Sequence, residues 1–225
     1  MSGEHVLVCV AWPYANGPLH LGHVAGCYLP PDIQARFERA RGNRVLMVSG
    51  SDEHGTPITV TAETQGISPQ EVVDKYHSIN TKALLDLGCS WEPNIDPRGV
   101  EYGGSLFNRT SDPEHYKIVS ENFISLMDAG LFERKVMQQY YEIREDGGRF
   151  LPDRYVEGEC PNCGADGARG DQCDECGVTY EANELKNPKS KMNPGAKIEI
   201  RDTEHFFYRL DVFQEALEEH ASQRQ

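Results

Sequence analysis

Short apolar runs and helix-spaced apolar positions alternate along the first part of the chain. Residues 5–11 and 44–49 are apolar runs rich in β-branched side chains, a pattern typical of buried strands. Between them, residues 22–42 carry apolar and small side chains at helical spacing and end in a glycine suited to a C-cap. Pro30 and Pro31 should kink or split this helix. The order of strand, loop, helix and strand predicts an α/β fold with parallel strands.

Amphipathic stretches predict further helices, and apolar alternation predicts strands in the second half. Ser68 and Pro69 should start one long helix. Ser111 or Asp112 should cap another, which Gly130 ends. The predicted long helices are 69–87, 111–130 and 211–225, and the predicted later strands are 131–143 and 204–210.

A turn-rich loop follows the first strand and ends in a His-x-x-His pair. His20 and His23 should lie on one face of the first helical turn. A helix N-terminus presents free backbone N–H groups and a positive dipole end, so the loop suits a nucleotide phosphate with two imidazole donors. Gly22 has no side chain and would let a flat ligand approach the backbone. The alternative is a pair of surface histidines at a helix start.

An acidic cluster follows the second predicted strand. Asp52, Glu53 and His54 should lie at the carboxyl end of that strand, where open α/β sheets bind ligands. An aspartate in that position could hold a cationic group. The alternative is a cluster that only caps the next helix.

Residues 146–196 are rich in Gly, Asp, Cys and Asn and have almost no apolar periodicity. They contain two C-x-x-C pairs, each followed by a glycine. Four thiolates around one ion form a closed tetrahedral site, which suits structural Zn²⁺, and disulfides are the alternative. The predicted ligands are Cys160, Cys163, Cys173 and Cys176. Cys9, Cys27 and Cys89 are expected to be small core residues.

Size and charge narrow the class of protein. A chain of 225 residues can bury a sizeable core and can hold two domains. The net charge of -14 argues against tight non-specific binding of nucleic acid by this chain alone. The sequence shows neither an apolar run of membrane-spanning length nor a secretory pattern, so a cytoplasmic protein without a membrane partner is expected.

Three segments, in order, resemble the methionyl-tRNA synthetases, a family of class I aminoacyl-tRNA synthetases. PYANGPLHLGH at 13–23 is similar to the HIGH signature of that class, and GSDEHGTPI at 50–58 to the family's second active-site loop. LPDRYVEGECPNCG at 151–164 and GDQCDECG at 170–177 resemble its zinc knuckle. NPKSKMNPGAK at 187–197 resembles the second knuckle of archaeal-type members without its cysteines, and its lysines are expected in a solvated loop.

The resemblance implies a Rossmann-type fold and a chain divided into two parts with different roles. Residues 1–111 would form the first half of the catalytic domain, and 112–225 a connective insert with its zinc knuckle at about 146–200. The implied reaction joins methionine to ATP, bound with Mg²⁺, and transfers the methionyl group to the 3′ end of tRNA(Met). The implied roles are catalysis for His20 and His23, ATP binding for His20, Gly22 and His23, and methionine binding for Trp12, Tyr14 and Asp52.

This sequence departs from the family in two respects. Trp12 stands where many members have leucine, and the lysine-rich KMSKS loop has no counterpart here. The chain is therefore expected to be an N-terminal portion that is inactive alone, binds tRNA weakly, and has a bare sheet edge at 5–11. Two other classes of function stay open: a zinc-ribbon binding module, and another adenylyl-transfer enzyme that uses the His-x-x-His pair.

Overall fold

The computed structural model describes residues 3–91, 107–145 and 147–223. Residue contacts divide the chain into two compact units, Met1–Ser120 and Glu121–Gln225. The functional division expected at residues 111 and 112 stays a prediction. Within the described residues, no helix is both long enough and apolar enough to cross a membrane.

The first unit alternates strands and helices, as the apolar pattern predicted. Its elements are β1 His5–Cys9, α1 Leu21–His23, a π-helical turn Val24–Tyr28, α2 Leu29–Ala40, β2 Arg44–Ser51, α3 Thr56–Gln65, α4 Pro69–Asp86 and β3 Phe107–Arg109. Helix α5, Pro113–Asp128, begins in this unit and ends in the second.

The three strands of the first unit form one parallel sheet in the order β1-β2-β3. The register pairs His5 with Arg44 and Ser49 with Phe107. The hydrophobic core of this unit includes Met47 of β2, which is fully buried. Among the described residues β1 has a strand partner on one side only, and Leu7 is 61% exposed.

The helix predicted at 22–42 is split, as its prolines suggested, but the break lies before them. The π-helical turn ends at Tyr28, and Pro30 and Pro31 then occupy the first turn of α2. Proline fits there because the first N–H groups of a helix have no intrahelical acceptor. Gly42, with φ +85°, follows the end of α2 as expected.

Helix α4 positions the loop that follows β1. Its N-terminus is the predicted Ser68, which forms a reciprocal capping box with Glu71. One helical face is buried and carries Asn80, which is 1% exposed. The Asn80 amide donates to the Gly17 carbonyl oxygen at 3.1 Å and accepts from the Leu19 N–H at 3.0 Å. Asn80 therefore anchors the segment immediately before the two histidines.

The second unit contains two antiparallel sheets, in the orders β5-β4-β9 and β7-β6-β8. Its elements after α5 are β4 Phe132–Glu142, β5 Arg149–Phe150, β6 Val156–Glu159, β7 Ala168–Arg169, β8 Lys186–Ser190, β9 Ile198–Tyr208 and α6 Gln214–Ser222.

Three expectations for the second unit need correction. Strand β9 begins at Ile198, before the predicted 204, because it pairs with β4 along the whole of that strand. Lys189 lies on β8 and not in a loop, and its ammonium is 3.6 Å from the Glu157 carboxylate on β6. Helix α6 starts at Gln214 after a 3₁₀ turn, and residues 224–225 of the predicted helix lie outside the described residues.

Replacing Asn80 tests whether α4 holds the histidine loop. In Asn80→Ala, the Leu19 N–H and the Gly17 carbonyl lose their partner, so we expect the free energy of unfolding to fall by about 2 kcal/mol. Urea unfolding followed by tryptophan fluorescence measures this, since Trp12 and Trp91 both lie in the first unit. Gln70→Ala, an exposed amide on the same helix, is the control and should change stability by less than about 0.5 kcal/mol. Equal losses in the two variants would contradict the anchoring role.

Candidate functional site

The loop after β1 continues the parallel pairing beyond the end of that strand. Tyr14 forms an isolated parallel bridge with Asp52, just past the end of β2. The Asp52 N–H donates to the Pro13 carbonyl oxygen at 2.8 Å, and the Ala15 N–H donates to the Asp52 carbonyl oxygen at 2.9 Å. The two segments predicted to hold methionine therefore meet at the carboxyl edge of the sheet, where open α/β sheets bind ligands.

Gly50 makes room for the Trp12 ring. A Cβ atom on Gly50 would lie 2.5 Å from the Trp12 ring and 2.5 Å from the Asn108 carbonyl oxygen, closer than real contacts allow. On another side, the Trp12 ring centroid is 6.1 Å from that of His115. Trp12 is 37% exposed, so part of its aromatic surface is open to solvent.

His20 and His23 stack on each other and cap the helix that carries them. Their ring centroids are 3.8 Å apart with an interplanar angle of 25°. The Nδ1 atom of His20 accepts from the N–H groups of Gly22 at 3.1 Å and His23 at 3.3 Å. The Nδ1 atom of His23 accepts from the His20 N–H at 3.3 Å. This is a capping box made by two imidazoles.

The cap contradicts the expectation of free backbone N–H groups at this helix start, and it specifies how the imidazoles can act as donors. The N–H groups of Gly22 and His23 point at the His20 ring, so they are not free to hold an anion. Because both Nδ1 atoms accept hydrogen bonds, each neutral ring carries its proton on Nε2. The two exposed imidazoles therefore present N–H donors outward, in place of the backbone. A side chain at position 22 would press on the His20 ring, since a Cβ there lies 3.0 Å from His20 Cε1.

Asp52 does not cap the next helix, so that alternative is wrong. The N-cap of α3 is Gly55, with φ +101° and no side-chain hydrogen bond. Among the described residues, the half-buried Asp52 side chain accepts one local hydrogen bond at Oδ1, from the His54 N–H at 3.3 Å. The His54 ring lies within hydrogen-bonding distance of Thr110 Oγ1, at 2.9 Å, and of the Tyr116 hydroxyl, at 3.0 Å.

Residues from the two predicted ligand sites line one cleft. Tyr14, expected to contact methionine, and His23, expected to contact ATP, both line a cleft of about 150 Å³. The remaining lining residues are Pro13, Asn16, Gly17, Pro18 and Leu19.

The four cysteines of the two C-x-x-C pairs converge as predicted. Their sulfur atoms all lie within 4.8 Å of one another. Cys160 Sγ is 3.8 Å from Cys176 Sγ, and Cys163 Sγ is 3.7 Å from Cys173 Sγ. Zn–S bonds of about 2.3 Å in a tetrahedron place sulfurs about 3.8 Å apart, so the cluster fits that geometry. All four thiols are free and none forms a disulfide.

The two C-x-x-C turns share one backbone design. In the first turn, the Gly164 N–H donates to the carbonyl oxygen of Cys160, whose own N–H donates to Ala165. In the second turn, Gly177, Cys173 and Val178 repeat this pattern. Both glycines have positive φ, +75° and +70°, which glycine adopts without strain. The first cysteine of each turn is buried and the second is exposed.

Hydrogen bonds at Cys176 favour its thiolate form. The N–H of Val178 and the side-chain amide of Asn162 donate to Cys176 and lower the pKa of that thiol to about 6. A thiolate is the form that binds a metal.

The other three cysteines are not all core residues. Cys89 is buried and Cys27 is half-buried, but Cys9 is exposed. The prediction for Cys9 was wrong because Cys9 lies on the exposed face of β1, together with His5 and Leu7.

The segment that resembles a second knuckle holds a buried carboxylate. The Ser190 hydroxyl donates to Glu142 Oε2 at 2.8 Å, and Arg144 Nε donates to Oε1 at 2.6 Å. Burial opposes ionisation of Glu142, but the hydrogen bonds from Arg144 and Ser190 hold its pKa below the usual value. A hydrogen-bond network closes this turn.

Two residues that shape the site were missed by the sequence analysis. The role of Gly50 could not be predicted, because it depends on the position of the Trp12 ring, which no local sequence pattern specifies. Asn80 left a readable signal, because it stands on the helical face of α4 that also carries the buried Val73 and Leu84. A polar residue on an apolar helical face indicates a buried hydrogen-bonding role.

Residues 6–225 match the family described as tRNA synthetases class I (M). The methionine–tRNA ligases of Roseiflexus sp. (strain RS-1) and Thermoplasma volcanium are each 49% identical to this chain, over 92% and 97% of its length. The chain spans 32% and 37% of those two relatives, about a third of their length.

Solved structures show the same fold. The structure of Mycobacterium tuberculosis methionyl-tRNA synthetase in complex with methionyl-adenylate superposes with a TM-score of 0.64 at 20% identity. The superposition covers 99% of this chain and 35% of the Mycobacterium tuberculosis chain. A ternary LeuRS–tRNA–LeuAMS complex from Agrobacterium radiobacter K84 has a TM-score of 0.59 at 20% identity, and covers 96% and 22%. Together with the family match over 6–225, this shows the class I catalytic fold, and the chain belongs to the class I (M) tRNA synthetases.

Proposed function

We propose that this chain supplies the methionine-binding and phosphate-binding part of a methionine–tRNA ligase. The observation that carries the proposal is the parallel bridge between Tyr14 and Asp52, beside a cleft that Tyr14 shares with His23. It brings a carboxylate, an aromatic surface and two imidazole donors to one edge of the sheet. The names of the relatives that are 49% identical to this chain support methionine as the amino acid.

The amino acid would be held by charge at one end and by aromatic surface at the other. The Asp52 carboxylate has one local hydrogen bond, which leaves acceptor capacity for the α-ammonium group of methionine. Trp12 and Tyr14, respectively 37% and 48% exposed, would line the pocket for the thioether side chain. Neither aromatic ring needs to change its protonation state for this role.

The two histidines would act on the triphosphate. The methionine carboxylate oxygen attacks the α-phosphorus of ATP, the bond from that phosphorus to the β-bridging oxygen breaks, and pyrophosphate leaves. The Nε2–H groups of His20 and His23 would donate to phosphate oxygens as charge shifts onto them. Gly22 would allow the adenine to approach the backbone, and Mg²⁺ would enter with ATP as part of the substrate.

The second step uses no side chain of this chain as a nucleophile. A ribose hydroxyl at the 3′ end of tRNA(Met) attacks the carbonyl carbon of methionyl-adenylate, and AMP leaves with the electron pair. The protein's contribution would be to hold the adenylate in place and to exclude competing reactions.

We also propose that Cys160, Cys163, Cys173 and Cys176 bind one Zn²⁺. Their sulfur spacing supports a tetrahedral site, and four thiolates leave no open coordination position. The ion would cross-link two turns that lie in a segment with almost no apolar periodicity, and would thereby stabilise its fold.

Removing the charge of Asp52 tests the ammonium contact. Asp52→Asn keeps the size of the side chain and an oxygen for the His54 N–H, so only the charge changes. We expect the KM for methionine to rise about 100-fold while the KM for ATP changes less than about threefold. The assay is methionine-dependent exchange of pyrophosphate into ATP by a full-length polypeptide that carries these 225 residues. Asp86→Asn, an exposed carboxylate at the end of α4, is the matched control. An unchanged KM for methionine would reject the role of Asp52.

Removing one imidazole tests the phosphate contact. In His23→Ala we expect kcat for adenylate formation to fall about 10²–10³-fold with little change in either KM, the pattern of a contact made in the transition state. Leu21→Ala, on the same turn and 82% exposed, should have near-normal kcat. A large rise in the KM for ATP with normal kcat would instead indicate a ground-state contact.

Metal analysis of the chain tests the knuckle. We expect about one zinc per chain, lost in Cys160→Ser and retained in Cys9→Ser, which alters an exposed cysteine outside the cluster. Tryptophan fluorescence should show that Trp12 and Trp91 keep their environments in Cys160→Ser, since both lie in the first unit. Wild-type protein that is folded and metal-free, with disulfides among these four cysteines, would overturn the assignment.

A further inference from the structure

Asp52 lies between two buried polar residues. Ser51 is 1% exposed and Glu53 is 5% exposed, whereas Asp52 is half-buried. In an extended segment, neighbouring side chains point to opposite faces. Ser51 and Glu53 therefore share one face of the segment and the Asp52 side chain takes the other, while the Asp52 backbone pairs with that of Tyr14 in the neighbouring loop.

The Glu53 carboxylate is held by residues at and after the end of β3. Arg109 Nε donates to both oxygens, at 2.7 and 2.9 Å, and the Ser111 hydroxyl donates to Oε2. The Glu53 N–H donates to Thr110 Oγ1 at 2.8 Å. The Glu53 side chain has no solvent exposure, so these partners replace water completely.

Helix α4 closes the same cluster from another direction. Arg109 Nη2 donates to Asp74 Oδ1 at 2.6 Å, so one guanidinium joins β3 to α4. The Ser51 hydroxyl lies 2.7 Å from His77 Nδ1, which is itself 3.7 Å from Glu53 Oε1. The residues on both sides of Asp52 are thus fixed to α4 or to the end of β3.

The Pro13–Ala15 loop is joined to this segment through its backbone. Asp52 is joined to the Pro13–Ala15 loop by two backbone hydrogen bonds, at 2.8 and 2.9 Å. These bonds require the Asp52 peptide to keep the orientation that the flanking side chains give it. A buried carboxylate without its cation would have to move toward water or take up a proton, and either change would shift the adjacent peptide.

We infer that the buried Glu53–Arg109 ion pair is the positioning device that keeps Asp52 paired with the Pro13–Ala15 loop, and that it sets methionine affinity without contacting the amino acid. Its effect on affinity rests on the proposed function. The pairing itself does not, because it concerns backbone hydrogen bonds that form within the chain. The two parts can therefore be tested separately.

Amide hydrogen exchange tests the pairing without any substrate. Glu53→Gln keeps the shape of the side chain and removes its charge. We expect the amides of Asp52 and Ala15 to exchange about tenfold faster or more, while the amide of Met47 in the middle of β2 is nearly unchanged. Glu38→Gln is the matched control: Glu38 is another carboxylate of the first unit, 8% exposed and bonded to Asn43, but it lies on α2. It should leave the Asp52 and Ala15 amides unchanged.

A second variant covers the case in which Glu53→Gln does not fold. Arg109→Lys keeps a positive charge beside Glu53 but replaces the two-armed guanidinium with a single ammonium group, which cannot join Glu53 to Asp74 in the same geometry. We expect a smaller rise in exchange at the same two amides. Circular dichroism and tryptophan fluorescence identify which variants are folded.

Kinetics in the full-length polypeptide test the effect on affinity. In Glu53→Gln we expect the KM for methionine to rise about tenfold to a hundredfold, with the KM for ATP within about threefold of wild type. A general loss of structure would raise both KM values or lower the active fraction instead, and Glu38→Gln should leave both KM values unchanged.

The outcomes separate this inference from the proposed function. Unchanged exchange at Asp52 and Ala15 in folded Glu53→Gln would overturn the positioning role, whatever the kinetics. Equal rises in the KM for methionine and for ATP would overturn its specificity for methionine. Wild-type protein without methionine-dependent exchange of pyrophosphate would remove the proposed function, and amide exchange would still decide whether the ion pair holds Asp52.

Discussion

The two hydrogen bonds that join Asp52 to the Pro13–Ala15 loop are the contact on which the candidate site depends. They continue the parallel sheet past the end of β1, so that a turn-rich loop becomes part of a rigid edge. The Trp12 ring can reach Gly50 because of this pairing, and the chain is then directed to Asn80 and the two histidines. Without it, the aromatic, acidic and imidazole side chains would lie on separate mobile loops.

The features that sequence predicted well are those set by near neighbours along the chain. The C-x-x-C turns need only a few residues and a glycine, and the start of α4 needs only Ser68 and Pro69. The strand, loop and helix order followed from short apolar runs, because buried parallel strands require them. Asp52 was placed correctly at the end of β2 for the same reason.

The features that sequence did not predict depend on partners distant in the chain. The extent of β9 follows from its pairing with β4, and the exposure of Cys9 follows from which face of β1 is left uncovered. The histidine cap shows a subtler limit: His20 and His23 were identified as donors, but the acceptor role of their Nδ1 atoms depends on ring rotamers that spacing does not specify. The buried environment of Glu53 could not be predicted without knowing the position of Arg109.

Polar side chains, as well as apolar ones, form the support beneath this site. Asn80 and Glu53 are both buried, and each satisfies backbone or charged groups that would otherwise lose water without replacement. Such groups specify one arrangement more strictly than apolar contacts, because a small displacement breaks a hydrogen bond but only loosens a packed surface. This explains how a site built on loops can keep a defined geometry.

The knuckle has one further consequence, for the order in which its sulfurs can react. Cys160 and Cys173 are buried, whereas Cys163 and Cys176 are exposed. An oxidant, an alkylating reagent or a competing chelator arriving from solvent therefore meets the second cysteine of each turn first. Exchange of a bound ion would proceed through a state in which the two exposed sulfurs have dissociated from the ion and the two buried ones still bind it. The two buried sulfurs would then retain the ion until the two exposed ones bind it again.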